Sequence, residues 1–349
     1  MPSRRALLPC LLACAAAWLA GGPSAARAAP APLPPMAAWD VHEQRVAVHA
    51  GLLAPLADGL VHGERELTAP QLRAALAGLS ASTGVAPAAV TSPTPPSVLS
   101  FDALLVRRLG LGDVAATVLA EARRAGLRPQ PSFGTEVVAR LAGLRHDHPY
   151  GADGLELYPT QAITRAEAAW SLAAVADWDG SQQQWVRDVL ADFVLPDYSA
   201  AQLRVLRPAV AKVGMPYVWG GETDTASAAY GGQVHGGYDC SGFVWRTFKL
   251  TGNPLGRQIT GRTAAGQAGE IPATTRVRLE DVEPADLVFF GPGRFDQRAT
   301  EKRITHVGIA LSGAFMLNSA GSYGGVGVAP LLADDGRDRH FSWARRVLR

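Results

Sequence analysis

The spacing of apolar residues changes once along this chain, and that change constrains its fold more than any other feature. From about residue 36 to 178, apolar residues recur at helical spacing in a background rich in Ala, Leu and Arg. After Val213, glycines cluster and short runs of β-forming residues take over. These runs span residues 287–290, 304–311, 315–319 and 341–348. The pattern predicts an α+β protein, with an all-α region first and a domain of helix plus antiparallel sheet second.

The length of 349 residues is enough for about two domains of roughly 150 residues each. We place the helical region at 36–178 and the second domain at 199–349. A connecting helix that begins at about Ser181 and is closed by Pro196 fills the stretch 179–198 between them. A chain of this size can bury a substantial core.

Residues 1–28 have the pattern of a secretory signal peptide. A basic start precedes an apolar run at 6–20 and a small-residue cleavage site at 26–28. The apolar run is shorter than the roughly 20 residues that span a bilayer, so we expect export, with general secretion and twin-arginine export both open. The proline-rich residues 29–35 predict a stiff linker. We therefore expect a secreted protein of the cell wall or periplasm, with no membrane attachment after signal removal.

The charge balance argues against nucleic acid as the main partner. The chain has 33 Lys and Arg against 31 Asp and Glu, and removal of the leader takes three arginines with it. The remaining chain is nearly neutral, whereas nucleic-acid-binding proteins concentrate positive charge.

One cysteine remains after the leader, because Cys10 and Cys14 leave with it. Cys240 then has no partner for an intrachain disulfide, although exported proteins commonly form disulfides. A lone thiol in an oxidising compartment is either an inert buried residue or a chemically used one. The neighbours of Cys240 decide between these two interpretations.

Four short motifs follow one another in the second half of the chain. They are GMPYVWGG at 214–221, YDCSGFV at 238–244, PADLVFF at 284–290 and THVGI at 305–309. Asp239 can cap a helix from Cys240 to about Leu250, which places the thiol in the first turn. The pKa of a thiol falls from about 8.5 at a helix N-terminus beside an imidazolium, and backbone N–H groups of such a turn can face a developing oxyanion. The sequence therefore predicts a nucleophilic role for Cys240.

His306 is the candidate base for this nucleophile. In an alternating strand it shares one face with two small residues, Gly308 and Ala310, which leave room for a substrate. A three-residue loop at 312–314 would set Asn318 opposite Gly308 and diagonal to His306, whereas a two-residue loop would turn it away. With the three-residue loop, Asn318 can orient the His306 ring, as in Cys-His-Asn sites.

Taken together, the motifs of residues 199–349 resemble the NlpC-type cell-wall cysteine peptidases, which have a papain-like fold. The resemblance rests on the four motifs and on the closing ARRVL run. It implies that Cys240 is the nucleophile, His306 the base and Asn318 the third polar residue, a position that is more often His in the family. The implied substrate is a peptidoglycan stem peptide, cut between D-γ-glutamate and the diamino acid that follows.

The resemblance assigns contacts to three further residues. Tyr217 matches a tyrosine beside the nucleophile, a candidate oxyanion donor. Asp239 and Ser241 match positions that in some members hold the free amine of the substrate. The loop 222–237 departs from the family because it is longer than usual, and it contains His235. We expect this loop to reshape the cleft.

Two other functions stay open. A thiol–histidine pair serves any acyl transfer, so an amidase or acyltransferase on the same scaffold is one alternative. The other is a non-catalytic domain that binds cell-wall glycopeptide. We expect no cofactor and no metal ion, because His146 and His148 have no evident third ligand and suit a solvated loop.

Three helix starts in the helical region look alike. Each places a hydroxyl N-cap after an aliphatic residue, in 67–72, 99–104 and 163–168, with Ser100 as the predicted cap of the second. The first and third carry Gln or Glu three residues after the cap, as in a capping box. The third, ITRAEAAWSL, resembles the helix start of S-layer homology repeats, which implies non-covalent attachment to cell-wall polymers. The alternative is a set of capped helices in an ordinary bundle.

Overall fold

A computed structural model describes residues 40–83, 90, 92–176, 178–227, 230, 232–292, 301–332 and 340–348. The predicted signal peptide at 1–28 and the linker at 29–35 lie outside these residues. The described residues all belong to one compact unit, which runs from Leu33 to Arg349. Within it, the boundaries that we placed at 178 and 199 stay predictions. Among the described residues, no helix has both the length and the apolar character needed to cross a bilayer.

The first part of the described chain is helical, as predicted. Its helices are α1 Val41–His49, α2 Ala69–Thr83, α3 Val98–Arg108, α4 Gly112–Arg124, α5 Phe133–Leu141, α6 Arg165–Ala176, α7 Ser181–Ala191 and α8 Ala200–Val210. The predicted connecting helix corresponds to α7. Ser199 caps α8 through a complete capping box with Gln202. Apolar side chains of these helices join the same core as those of the second part.

The three similar helix starts lie side by side. The Leu67 N–H donates to the Ile163 carbonyl, and the Ile163 N–H donates to the Pro96 carbonyl, each at 2.9 Å. The backbone just before α6 therefore lies between the segments that lead into α2 and α3.

Two of the three predicted caps are present. Thr68 and Gln71 exchange side-chain and backbone hydrogen bonds at the start of α2, and the Thr164 hydroxyl accepts the Glu167 N–H at 3.2 Å. The predicted cap at Ser100 is wrong. The helix begins three residues earlier, because Ser97 keeps an extended backbone and its hydroxyl accepts the Ser100 N–H at 3.2 Å.

The described residues of the second part form two antiparallel sheets and two short α-helices. A small sheet pairs β1 Glu222–Thr223 with β2 Gly237–Tyr238. The main sheet contains β3 Leu287–Gly291, β4 His306–Ala310, β5 Phe315–Ala320, β6 Gly325–Pro330 and β7 His340–Arg345. Its strand order is β6-β5-β4-β3-β7, and every neighbouring pair is antiparallel, as predicted. The short helices are α9 Cys240–Trp245 and α10 Ala264–Gly269.

The main sheet is buried on both faces, and α9 packs against β4 and β5. Because α9 begins at Cys240 and β4 begins at His306, this packing decides where the two candidate catalytic residues lie. The observed mixture of a helical region with an antiparallel sheet and a packed helix agrees with the predicted α+β class.

Candidate active site

Cys240 is the first residue of helix α9. Asp239 has an extended backbone, with φ −82° and ψ 175°, and its carboxylate accepts the Gly242 N–H at 2.5 Å. The predicted cap is confirmed, and a π-helical turn at 246–250 carries the helix to its predicted end. Glycine is needed at 242 because a Cβ there would lie 1.9 Å from the Gly221 carbonyl oxygen. Cys240 is half-buried in this first turn, where the helix dipole favours an anion.

The motif that contains Tyr217 runs alongside the segment that leads into α9. Tyr217 forms a parallel bridge with Tyr238. The Tyr238 N–H donates to the Pro216 carbonyl at 3.1 Å, and the Val218 N–H donates to the Tyr238 carbonyl at 3.3 Å. Tyr217 therefore lies on the chain segment that runs beside the residues leading into α9.

His306 and Asn318 are hydrogen-bonded to each other. The His306 Nε2 lies 3.2 Å from the Asn318 Oδ1, and both side chains are buried. An amide oxygen only accepts, so Nε2 carries the proton and Nδ1 is left as the basic nitrogen. The β4–β5 register pairs Ile309 with Leu317. This register confirms the three-residue loop at 312–314 that the prediction for Asn318 required.

A second hydrogen bond ties this pair to the start of α9. The Ser319 hydroxyl donates to the Tyr238 carbonyl at 2.6 Å. Ser319 follows Asn318 on β5, and Tyr238 lies two residues before Cys240. The start of α9 and the His306–Asn318 pair therefore lie at the same end of the sheet.

Arg262 binds the polar groups around the start of α9. Its side chain is 10% exposed, and all five of its N–H donors are used. Nε donates to Glu222 at 2.6 Å, Nη1 to Asp239 at 3.1 Å and to Ser241 at 3.0 Å, and Nη2 to the carbonyls of Gly220 at 2.9 Å and Gly221 at 3.1 Å. We call Arg262, Glu222, Asp239 and Ser241 the Arg262 network.

Sequence reasoning missed Arg262 and Glu222. It placed Asp239 and Ser241 in the site as possible contacts of a substrate amine, which stays a prediction, and the structure shows that both accept hydrogen bonds from Arg262. The only signal in the sequence is general: a partly buried acid beside a nucleophile needs a cation. Nothing in the spacing indicates which of the 33 Lys and Arg residues supplies it.

The helical region borders the same site. The Tyr158 ring stacks on His235 of the long loop, with centroids 4.2 Å apart, and the Tyr158 hydroxyl accepts the Gly236 N–H at 3.0 Å. Burial lowers the pKa of His235 below its ordinary value, so this ring stays neutral near pH 7. The helical region therefore holds the loop that leads into β2 and Cys240.

Arg140 of α5 makes a second connection. Its Nη2 donates to the Gly214 carbonyl at 2.7 Å and its Nη1 to the Tyr323 carbonyl at 2.8 Å. Gly214 begins the motif with Tyr217, and Tyr323 lies in the turn that follows β5. One buried guanidinium thus joins α5 to two segments that border the candidate site.

The solvated loop that we predicted for His146 and His148 is wrong. His148 is buried, and its Nδ1 lies 2.9 Å from Glu156 Oε1. The His146 ring packs on Trp170, with centroids 4.3 Å apart, and burial lowers the pKa of His146 to about 3. His148 therefore lies in the interior, and the His146 ring is partly covered by Trp170 of α6. Among the described residues, no three His, Cys, Asp or Glu side chains are grouped as metal ligands.

Comparison with known proteins places the second part of the chain in a family. Residues 214–344 match the model of the NlpC/P60 family. The chain is 34% identical over 141 residues to the bifunctional muramidase/DL-endopeptidase CwlT of Bacillus subtilis. The aligned region covers 40% of this chain and 35% of that protein. It is also 31% identical over 129 residues to the peptidoglycan endopeptidase RipB of Mycobacterium tuberculosis. That aligned region covers 36% of this chain and 46% of RipB.

The chain therefore spans less than half the length of these curated relatives. Among solved structures, the peptidoglycan hydrolase RipB of Mycobacterium tuberculosis matches with 25% identity and a TM-score of 0.32, over 43% of this chain and 65% of that one. Residues 214–344 are accordingly a domain of the NlpC/P60 family.

Proposed function

We propose that this protein is a peptidoglycan hydrolase that cleaves stem peptides with the Cys240 thiol, between D-γ-glutamate and the diamino acid that follows. The observation that carries this proposal is the His306–Asn318 hydrogen bond, located at the end of the sheet where the nucleophile helix begins. The match to the NlpC/P60 family and the peptidoglycan endopeptidases among its relatives support the substrate class.

In the first half of the reaction, His306 Nδ1 takes the thiol proton and the Cys240 sulfur attacks the γ-glutamyl carbonyl carbon. A C–S bond forms and the carbonyl oxygen becomes an oxyanion. The N–H groups of the first turn of α9 and the Tyr217 hydroxyl are the candidate donors to that oxyanion. Asn318 keeps the ring oriented by accepting the Nε2 proton.

In the second half, the protonated His306 gives its proton to the amine of the diamino acid as the C–N bond breaks. The amine leaves, and Cys240 holds the glutamyl group as a thioester. Water then attacks the thioester carbon while His306 accepts a proton from it, and the thiol is restored. The balance is one water consumed per peptide bond cut, with no cofactor.

Digestion of a defined stem tripeptide tests the proposal. The wild-type protein should release the diamino acid, identified by the mass of both products, and Cys240→Ala should release none above background. Release of ammonia, or transfer to an added amine in place of water, would instead favour the amidase or acyltransferase alternative. Binding without any product would favour the non-catalytic alternative.

The roles of the base and of its orienting residue need separate variants. We expect His306→Ala to lower kcat about as far as Cys240→Ala does, and Asn318→Ala to lower it by roughly 10- to 100-fold with little change in KM, because each group acts in the transition state. His62→Ala is the matched control, since His62 pairs with Asp58 and Glu64 in the helical region. Equal losses in the His62 and His306 variants would contradict the assigned role.

We also propose that the helical region attaches the protein to cell-wall polymers. The side-by-side placement of the three similar helix starts favours a module built from degenerate repeats. Arg165 of the ITRAE sequence points inward, however, and donates to the Val61 and Ala54 carbonyls. Any contact with wall polymers therefore has to use other side chains.

Cosedimentation of the full-length Cys240→Ala protein with purified cell wall tests this attachment. Pelleting should disappear when the wall is stripped of its non-peptidoglycan polymers by acid. Equal pelleting on both wall preparations, or no pelleting on either, would contradict it.

Export to the cell wall or periplasm is part of the same proposal, because the substrate lies outside the cytoplasm. Fractionation of the producing cells should place the protein outside the cytoplasm and about 28 residues shorter than the full chain, in line with signal removal. Recovery of the full-length chain in the cytoplasm would contradict it.

A further inference from the structure

Ser319 follows Asn318 on β5 and connects this strand to the start of α9. Its hydroxyl donates to the Tyr238 carbonyl at 2.6 Å, and the residue is completely buried. The same carbonyl accepts the Val218 N–H at the longer distance of 3.3 Å. Ser319 is therefore the closer of these two donors to the backbone that lies two residues before Cys240.

Ser319 and Asn318 point to opposite faces of the main sheet, because successive side chains of a strand alternate. Just before them on β5, Leu317 belongs to the apolar cluster that contains Phe243 of α9, whereas Met316 belongs to a separate cluster. By this alternation Ser319 faces α9 and Asn318 faces the base. Two adjacent residues of β5 thus bind the nucleophile segment on one face and His306 on the other.

The backbone pairing between β4 and β5 ends before it reaches these two residues. Among the described residues, this ladder contains the pairs Ile309–Leu317 and Ala310–Met316. Asn318 and Ser319 pair with β6 instead, and Asn318 reaches His306 through its side chain. At this end of the sheet, side-chain hydrogen bonds therefore help to set where the base lies relative to Cys240.

The acceptor of the Ser319 hydroxyl is itself held in place. The Tyr238 hydroxyl donates to Asp224 at 2.5 Å, and the Tyr238 N–H donates to the Pro216 carbonyl at 3.1 Å. Asp224 in turn accepts from Lys212 at 2.7 Å. Because Tyr238 is bound at both its ring and its backbone, a hydrogen bond to its carbonyl fixes β5 against the start of α9.

We propose that Ser319 is a positioning residue of the Cys240 site, and that its hydroxyl sets the separation of the Cys240 thiol and the His306 imidazole through Tyr238 and Asn318. This inference rests on the proposed function, because it concerns the same thiol and imidazole. A displacement of about 1 Å between reacting groups can lower a rate by about 100-fold. A buried hydrogen bond that fixes their spacing therefore acts on kcat more than on substrate binding.

The variant Ser319→Ala tests the role of this hydroxyl in stem-peptide hydrolysis. We expect kcat to fall by about tenfold or more while KM changes by less than about twofold. Ser171→Ala is the matched control, because the Ser171 hydroxyl is also fully buried and donates to the Leu144 carbonyl at 2.7 Å in the helical region. The control should keep the wild-type kcat. Equal falls in kcat in the two variants would overturn the inference.

Alkylation of Cys240 by iodoacetamide gives a second readout that needs no substrate. The rate is followed by the mass of the fragment with Cys240 as a function of pH, because the thiolate is the reactive form. When the thiol and the imidazole lie farther apart, the midpoint of this profile should rise toward the value of about 8.5 for a free thiol. Ser319→Ala should show this rise, and Ser171→Ala should keep the wild-type midpoint. An unchanged midpoint in Ser319→Ala would overturn the inference.

Ser319→Thr separates the loss of this hydrogen bond from a disturbance of the fold, because threonine keeps the hydroxyl and suits a strand. Its kcat and its alkylation midpoint should both lie nearer to those of the wild type than those of Ser319→Ala do. A Ser319→Thr protein as impaired as Ser319→Ala in both readouts would overturn the role of the hydroxyl. Failure of the wild type to cut the stem peptide would overturn the proposed function, and the alkylation midpoints would still decide the role of Ser319.

Discussion

Two groups of buried charges border the candidate site, and they are built differently. The helical cluster consists of Asp102, Glu136, Arg140, Arg145, His148, Glu156 and Glu167, with side chains no more than 7% exposed. In this cluster Arg145 lies 3.7 Å from Asp102 and 4.0 Å from Glu167. In the Arg262 network every ion pair lies at 2.6 to 3.1 Å.

The two groups also differ in how their carboxyl groups are stabilised in the interior. Both Asp102 side-chain oxygens are buried and accept no hydrogen bond from the described residues, and burial raises the pKa of Asp102 to about 7. Burial likewise raises the pKa of Glu156 to about 8. In the helical cluster, burial therefore favours the protonated forms of Asp102 and Glu156. In the Arg262 network, the buried charges are instead stabilised by oppositely charged partners and by hydrogen bonds.

The two groups are also connected to the candidate site in different ways. The Arg262 network includes the cap of the nucleophile helix. The helical cluster does not include this cap, and its Arg140 binds the Gly214 and Tyr323 carbonyls. The comparison predicts that changes in the network alter catalysis directly, whereas changes in the cluster alter stability and its dependence on pH.

The largest expected effect comes from removing the centre of the network. Arg262→Met leaves Glu222 and Asp239 with no cation and removes five hydrogen bonds. We expect the free energy of unfolding to fall by about 3–5 kcal/mol, as for a broken buried ion pair, measured by denaturant unfolding. The exposed pair of Arg278 provides the control, and Arg278→Met should cost less than about 1 kcal/mol. Similar losses in both variants would remove the distinction between the network and an ordinary surface pair.

An intermediate effect is expected from Glu156→Gln, and it depends on pH. The folded-state pKa of Glu156, about 8, lies above its ordinary value of 4.5. Its contribution to stability is therefore complete below pH 4.5 and is lost as the pH rises toward 8. The variant keeps an uncharged group there, so its unfolding free energy relative to wild type should increase by about 3 kcal/mol between pH 5 and 8.

His148 affects the pH dependence of stability in a lower pH range than Glu156 does. Burial lowers the pKa of His148 below its ordinary 6.5, so its contribution is present above pH 6.5 and is lost as the pH falls. The loss due to Glu156 is accordingly clearest between pH 6.5 and 8. Glu280→Gln is the control, and this change at an exposed residue should leave the pH dependence of the unfolding free energy unchanged. A flat difference between Glu156→Gln and wild type across this range would contradict the neutral state assigned to Glu156.

The smallest effect is expected at the contact between the helical region and the long loop. Tyr158→Phe keeps the stack on His235 and removes the acceptor of the Gly236 N–H. We expect a loss of about 1 kcal/mol in stability and a rise in KM larger than the fall in kcat, since the loop borders the cleft. Tyr150→Phe, at a residue that is 62% exposed, is the control. Unchanged kinetics and stability in Tyr158→Phe would show that this contact does not position the loop.

The sequence predicts the elements that carry the chemistry because their signals are local. The Asp239 cap depends on residues that are adjacent in the chain, and the β4–β5 register follows from the length of one loop. The runs predicted at 287–290 and 315–319 lie within one residue of β3 and β5. By contrast, β6 was missed, because its Gly and Pro content hides the alternation of valine with small residues.

The rest could not be predicted because it depends on which distant segments fold together. Arg262 contacts Glu222 and Asp239 across 40 and 23 residues, and no periodicity connects them. The contacts of Arg140 cross 74 and 183 residues. Similarly, His148 was predicted in solvent because its burial comes from helices that only the complete fold brings around it.

The central claim is that the sulfur of Cys240 forms a covalent bond to the γ-glutamyl carbon during hydrolysis. Rapid acid quenching of the wild-type enzyme with the stem tripeptide, followed by proteolysis and mass spectrometry, tests it most directly. The account predicts that the fragment with Cys240 gains the mass of the acyl group during turnover, and that Cys240→Ala shows neither this adduct nor product. Product formation by Cys240→Ala at the wild-type rate, or an adduct on another residue, would contradict it.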